Sequence, residues 1–330
     1  MSVRRLLALG AFPLLALGTA GVATALAGDA TQWSQRAYAA VYLAFIVPSY
    51  AAIALIERVI PYRDDWRRPQ GDVATDATHL VVTGPGSNEA ALLAIAVLAS
   101  LLGLGWNEGQ AGRWWPSALP LLLQVWLAVL VAELGHYWFH RLCHETDWLW
   151  RLHAVHHSAP RLYWLNATRF HPLDLAGIVF FQVLPLVLLG IPPRVFLLYS
   201  IVAACYGQLQ HCNAALRAGP WRWVFSTPEL HRWHHAADSR HGNANYGAIL
   251  SAWDLVFGTF ALPRGREATE PIGIAGMPQF PATWLGQITA PFRWSALRVA
   301  GAAAPLSVPG SAAAAAPTPP AHHRERRPSA

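Results

Sequence analysis

Charge is scarce in this chain. Asp, Glu, Lys and Arg make up 13% of its 330 residues, about half the share of an ordinary soluble domain. With 54% apolar residues, the shortage excludes a well-solvated globular surface over most of the chain and points to a membrane protein. The net charge of +6 is spread over loops and the C-terminal tail. It forms no basic stripe, which excludes a nucleic-acid-binding face, and a cytoplasmic membrane face accounts for it instead. Cysteine is also sparse. Cys143, Cys205 and Cys212 are odd in number and give no disulfide framework. Cys143 and Cys212 stand beside histidines, so thiolate ligation is open to them, but a free cysteine usually behaves as a small buried hydrophobe. No internal repeat recurs at solenoid periods.

Long apolar runs fill the first third. Residues 6–27 follow Arg4 and Arg5 and read either as a first membrane helix, being about 22 residues long, or as a signal peptide ending in Ala25-Leu26-Ala27. A second run covers 37–56. It is followed by Arg58, Arg63, Arg67 and Arg68, a basic loop expected on the cytoplasmic side. Residues 76–86, with Gly84-Pro85-Gly86, read as an interfacial approach to a crossing at 90–104. The loop at 107–113 is expected outside, and 116–132 crosses back. The runs 173–189 and 195–209 are short for full spans and read as a hairpin that dips in and returns. From 301 onward the chain is Ala, Pro and Ser with a basic end, a tail expected to be disordered. The expected fold is therefore all-α: a polytopic integral membrane protein with a helical, histidine-rich metal site on its cytoplasmic side.

Histidine is what the chain has in excess, fifteen in all. The stretch HRLCHETDWLWRLHAVHH holds His140, His144, His153, His156 and His157. A second cluster holds His231, His234 and His235, with His171 and His211 between them. Helical residues three and four apart share a face, so each cluster could aim two or three ring nitrogens at one point. Neutral imidazole is the commonest biological metal ligand. Eight to ten histidines exceed the roughly four ligands of one tetrahedral zinc and suit two ions. The last two histidines, His322 and His323, lie in the tail and are weak candidates.

The pattern over residues 121–261 resembles the fatty acid hydroxylase superfamily, also called the sterol desaturase family. The resemblance is carried by Trp138-Phe139-His140-Arg141 with His144, by Leu149-Trp150-Arg151-Leu152-His153 with His156-His157-Ser158, and by His171-Pro172. It continues through Gln210-His211-Cys212-Asn213, Thr227-Pro228, and His231 with His234-His235. Asn245-Tyr246-Gly247 and the run from Trp253-Asp254 to Gly258-Thr259 complete it. It implies an integral membrane oxygenase with a non-haem di-iron centre acting on lipids. It also divides the chain into membrane helices (1–115), a catalytic domain (116–265), a peripheral segment (266–300) and the tail (301–330). The implied ligands are His140, His144, His153, His156, His157, His171, His211, His231, His234 and His235. Three positions depart from the family. Asp is usual where Glu133 stands, an aromatic where His136 stands, and some relatives carry a histidine where Gly207 stands. His171 is a candidate to fill that last vacancy, or else a residue anchoring the loop ahead of Pro172. His136 reads as a packing residue or a support behind the ligands.

Ligating histidines need partners on their other ring nitrogen. Glu133, Asp174, Glu229, Asp238 and Asp254 are near enough in sequence; Glu133 and Asp254, with Asn245, match family positions and are the favoured ones. Two irons with lipid substrate and dioxygen would hydroxylate or desaturate a C–H bond. Because the sequence shows no electron-carrier domain, electrons are expected from a separate reductase or small carrier. Two other chemistries use histidine: a zinc-dependent membrane hydrolase and a haem-binding cytochrome or metal carrier. Sixteen tryptophans suggest an interfacial belt, with Trp164 or Trp233 open to a lipid-lining role.

Overall fold

The computed structural model describes residues 34–102, 114–237, 242–263, 271–277 and 279–303, together with Leu6, 8–14, Gly18 and Gly21. The cleavage-site motif at 25–27, the loop 107–113, Asp238 and most of the C-terminal tail, with its two histidines, lie outside the described residues. Among the described residues there is no strand, only isolated antiparallel bridges such as Pro61 with Ala214 and Phe225 with Leu250.

Among the described residues, three helical segments are long and apolar enough to cross a membrane. The first is α1, Gln35–Val59, whose N-terminus is capped by the Ser34 hydroxyl accepting from the Ala37 N–H. The second is continuous from Val73 to Leu101: α2 (Val73–Thr78), a π-helical turn (His79–Thr83) and α3 (Gly84–Leu101). The interfacial approach expected at 76–86 is thus part of the crossing helix. Pro85 explains the π turn, because its ring would collide with the carbonyl one turn earlier in a regular helix. The wider turn lets Gly84 donate to the His79 carbonyl instead. The third segment, α4 (Leu121–Glu145), is unbroken. The sequence ended this crossing at residue 132. The helix itself continues past Ala132 to Glu145, so His140 and His144 lie on its last turns.

Beyond α4 follow α5 (Asp147–His157), α6 (Pro172–Leu188), α7 (Pro193–His211) and α8 (Pro228–His234). Three of these begin at proline, whose missing N–H has no helical partner at that position anyway. Short helices α9 (Ala252–Phe257), α10 (Trp284–Thr289) and α11 (Trp294–Ala303) complete the described chain. A left-handed Gly258 (φ 73°) ends α9, the conformation that suits glycine at a helix C-terminus.

Helix α4 is the central post. On one side it meets α7, which also packs on α1; on the other it meets α6, which also packs on α3. The pair α6 and α7 therefore parts around α4. The main apolar core lies among α1, α4 and α7, with Ile53, Val125, Ala128, Val129, Leu198, Ile201 and Val202 buried. The α4–α6 crossing is close because two glycines allow it. A Cβ on Gly135 would lie 1.9 Å from the Phe181 carbonyl oxygen, and one on Gly177 would lie 2.3 Å from the Phe139 ring. The C-terminal segment covers α5: Trp294 is buried with Ala154 and Met277.

Candidate metal centre

Nine of the ten expected ligands converge. Their nitrogens form two groups, each with all ligand atoms within 4.8 Å of one another. The first holds His140, His144, His153, His157 and His234; the second holds His156, His211, His231 and His235. Neighbours in sequence serve different groups. His153 and His157, four apart, face the first group, while His156 faces the second. His231 and His235, four apart, face the second, and His234 the first. A helical step of about 100° per residue separates adjacent side chains, whereas i and i+4 stay together. Each sequence cluster is therefore split between two centres and does not aim at one.

The ring nitrogens are arranged as ligand donors. His140 Nε2 lies 3.0 Å from His153 Nε2. In the second group His211 and His231 are 2.8 Å apart, His231 and His235 3.0 Å, and His156 and His235 3.1 Å, all Nε2 to Nε2. In several rings the other nitrogen is spoken for by an acceptor. His140 Nδ1 donates to the Tyr246 carbonyl (2.7 Å), His234 Nδ1 to the Ala244 carbonyl (2.8 Å) and His156 Nδ1 to the Arg169 carbonyl (3.2 Å). A carbonyl can only accept, which puts the proton on Nδ1 and leaves Nε2 a bare lone pair. The buried Nε2 atoms of His144, His157 and His234 have no hydrogen-bond partner. Bare lone pairs facing each other in a dry site repel unless a cation lies between them, so these residues fit a bound metal. Burial first, then mutual repulsion among the rings, holds His153, His156, His157, His231, His234 and His235 well below the ordinary imidazole pKa. They stand neutral, as metal ligation requires.

Residues 125–259 match the fatty acid hydroxylase family. Ornithine lipid hydroxylase OlsE of Rhizobium tropici is 40% identical over 248 residues, which cover 73% of this chain and 72% of that protein. The chain belongs to the fatty acid hydroxylase family. Two further relatives are alkylglycerol monooxygenase of Danio rerio, 37% identical over 45% of this chain and 33% of its own, and human cholesterol 25-hydroxylase, 26% identical over 44% and 53%. The chain thus spans a third to a half of the length of these two. No solved structure matches.

Within this fatty acid hydroxylase chain, His171 stands apart from both groups. Its Nδ1 accepts from the Leu173 N–H and caps α6, and its Nε2 lies 3.1 Å from the Ile288 carbonyl oxygen. The space beside Gly207 is open: a Cβ there would meet nothing within 4 Å. His136 is buried outside both groups, bonded through Nδ1 to the Gln182 amide (3.1 Å) with its ring 5.2 Å from that of His140. Cys143 is buried with its thiol 3.6 Å from Asp174. Glu229 pairs loosely with Arg222.

Carboxylates and amides stand behind these histidines. Asp254 accepts from the N–H groups of Tyr246 and Gly247, both at 2.8 Å. Glu133 accepts from those of Ala248, Ile249 and Leu250 at 2.9–3.1 Å. Asn245, left-handed at φ 58°, pins Ala261 through both ends of its amide. The sequence favours Glu133 and Asp254 over Asp174, yet Asp174 is the carboxylate that touches one of the clustered rings, 2.9 Å from His153 Nδ1. For the second group, Asn166 Oδ1 meets His211 Nδ1 at 3.0 Å. The loop bearing Asn166 and Arg169 is tied to α2 and the residues before it by two buried ion pairs, Arg161 to Asp72 and Arg169 to Asp76.

Proposed function

We propose that this chain is a membrane-bound di-iron oxygenase that hydroxylates a C–H bond of a lipid, with dioxygen as oxidant and electrons from a separate reductase or small carrier. The observation that carries the reading is the pair of adjacent, neutral, buried groups of five and four imidazoles at the end of a membrane-spanning helix. Five imidazoles in one group exceed the ligand number of structural zinc, and hydrolytic zinc uses three. Imidazole-bound ferrous iron with open positions supplies oxygen activation.

The chain's own residues supply the setting. The nine imidazoles hold the ions and exclude water by burial. Asp174, Asn166 and the carbonyls of Ala244, Tyr246 and Arg169 orient the rings. Helix α4 carries His140 and His144 on the same helix that is long and apolar enough to cross a membrane, which suits a lipid substrate. Ornithine lipid is the first substrate to test, because the relative named for acting on it matches most of both chains. A cytoplasmic location is supported by the basic loop after α1. Tyr62 donates to the Asn213 carbonyl, and Arg161 in the ligand-bearing region donates to Asp72, so that loop and the histidines share one end of the helices.

Membranes carrying the protein are expected to hydroxylate ornithine lipid only with oxygen and reductant, to incorporate label from labelled dioxygen, and to lose the activity on His235→Ala. Turnover without oxygen or reductant would overturn the oxygenase reading in favour of a hydrolase.

A further inference from the structure

The two histidine groups differ in what stands behind them. In the five-histidine group, His153 Nδ1 meets the Asp174 carboxylate at 2.9 Å. His140 is linked to a second carboxylate across a single peptide unit. The Tyr246 carbonyl accepts from His140 Nδ1 at 2.7 Å, and the N–H of that same peptide, belonging to Gly247, donates to Asp254 at 2.8 Å. Hydrogen bonds in series polarise one another, so the Gly247 N–H bond to Asp254 makes that carbonyl a better acceptor and holds the His140 ring in place. Glu133 fastens the next three N–H groups, which keeps the 246–250 segment in this register. The four-histidine group has neutral supports: the Arg169 carbonyl and the Asn166 amide. The Nδ1 atoms of His231 and His235 have no hydrogen-bond partner.

We propose that Asp174 and Asp254 are positioning residues whose carboxyl groups fix the rings of His153 and, through the 246–247 peptide, His140, so that the five-histidine group holds its ion tightly and the four-histidine group exchanges its ion first. The proposal rests on the two-ion reading above. In it, the fixed ion anchors the helices while the labile position is the one that tolerates loss and reloading.

The test is removal of iron from the purified full-length protein by bipyridine, followed by the colour of the ferrous complex and by residual metal content. Two phases of one ion each are expected. His235→Ala should keep the slow ion and His234→Ala should lose it. Asp174→Asn and Asp254→Asn should speed the slow phase about 10–100-fold and leave the fast phase within about twofold, with Asp174→Glu restoring much of the difference. A single phase for the wild type, a slow ion that survives His234→Ala but not His235→Ala, or equal acceleration of both phases by Asp174→Asn would each overturn the inference. Should the Asn variants fail to fold, the wild-type phases and the two histidine variants decide alone. Fewer than two ions in the wild type would instead overturn the di-iron reading itself, and the inference with it.

Discussion

Replacing Gly135 by alanine tests whether the α4–α6 crossing sets the geometry beneath the ligands. The new Cβ would sit 1.9 Å from the Phe181 carbonyl oxygen, and relief to 3.0 Å needs about 1.1 Å of movement. The obstacle is backbone, so no rotamer change relieves it. Parting packed surfaces by 0.5–1 Å forfeits about a quarter to a half of each contact's attraction, and overpacking of this kind costs about 3 kcal/mol at the upper end. Alanine returns about 1 kcal/mol of helix propensity over glycine, so a net loss of about 2 kcal/mol is expected. At about 2–4 °C per kcal/mol, the thermal midpoint in detergent should fall by about 4–8 °C. Gly177→Ala meets the Phe139 ring, a side chain that can be trimmed. Its loss should therefore be smaller and should be recovered by Phe139→Leu, a coupling that a double-mutant cycle measures. A Gly135→Ala midpoint equal to or above wild type, or rescue of Gly135→Ala by Phe139→Leu, would refute the reasoning.

Other outcomes follow from single observations. His171→Ala should cost about 1 kcal/mol through loss of the α6 cap and leave metal content unchanged, whereas His144→Ala should lower it; elemental analysis separates the two. In metal-free protein the buried histidines are held below their ordinary pKa, so the unfolded chain takes up protons first as pH falls. Stability should be level above about pH 6.5 and drop below it, and a thermal midpoint unchanged down to pH 5 would contradict this. Asp72→Ala strands the buried Arg161 guanidinium and should destabilise by about 3–5 kcal/mol. Replacing both partners with apolar residues should recover much of that, as thermal unfolding of the pair would show.

Much of this architecture was legible in the residues. Histidines at intervals of three and four named the helices that carry them, and scarce charge named the membrane. The partition between centres was not legible, because it depends on which neighbour each helix face meets, and sequence spacing gives only the faces. Helix α4 was cut short because polar histidines mimic the end of an apolar span; they are buried by other elements and not by solvent. Asp174 was passed over because nothing in the chain places the start of α6 against α5. The carbonyls of Ala244, Tyr246 and Arg169 leave no trace in sequence, since any residue supplies one. Glycine at 135 and 177 looked like ordinary helix content until the facing helix was in place.

The split histidine pairs have a consequence for how the chain would take up metal. Both groups are finished by the same seven-residue helix, α8, with the residue that follows it. Until α8 docks, the first group has His140, His144, His153 and His157, while the second has only His156 and His211. A newly made chain therefore presents four imidazoles on two consecutive helices, the ligand number of a closed zinc site, and zinc binds nitrogen ligands more strongly than ferrous iron does. On the two-ion reading proposed above, docking of α8 would add the fifth imidazole to the first group and complete the second. Variants that slow it should carry zinc when purified, a failure of metal selection in a chain that still folds around its first four histidines.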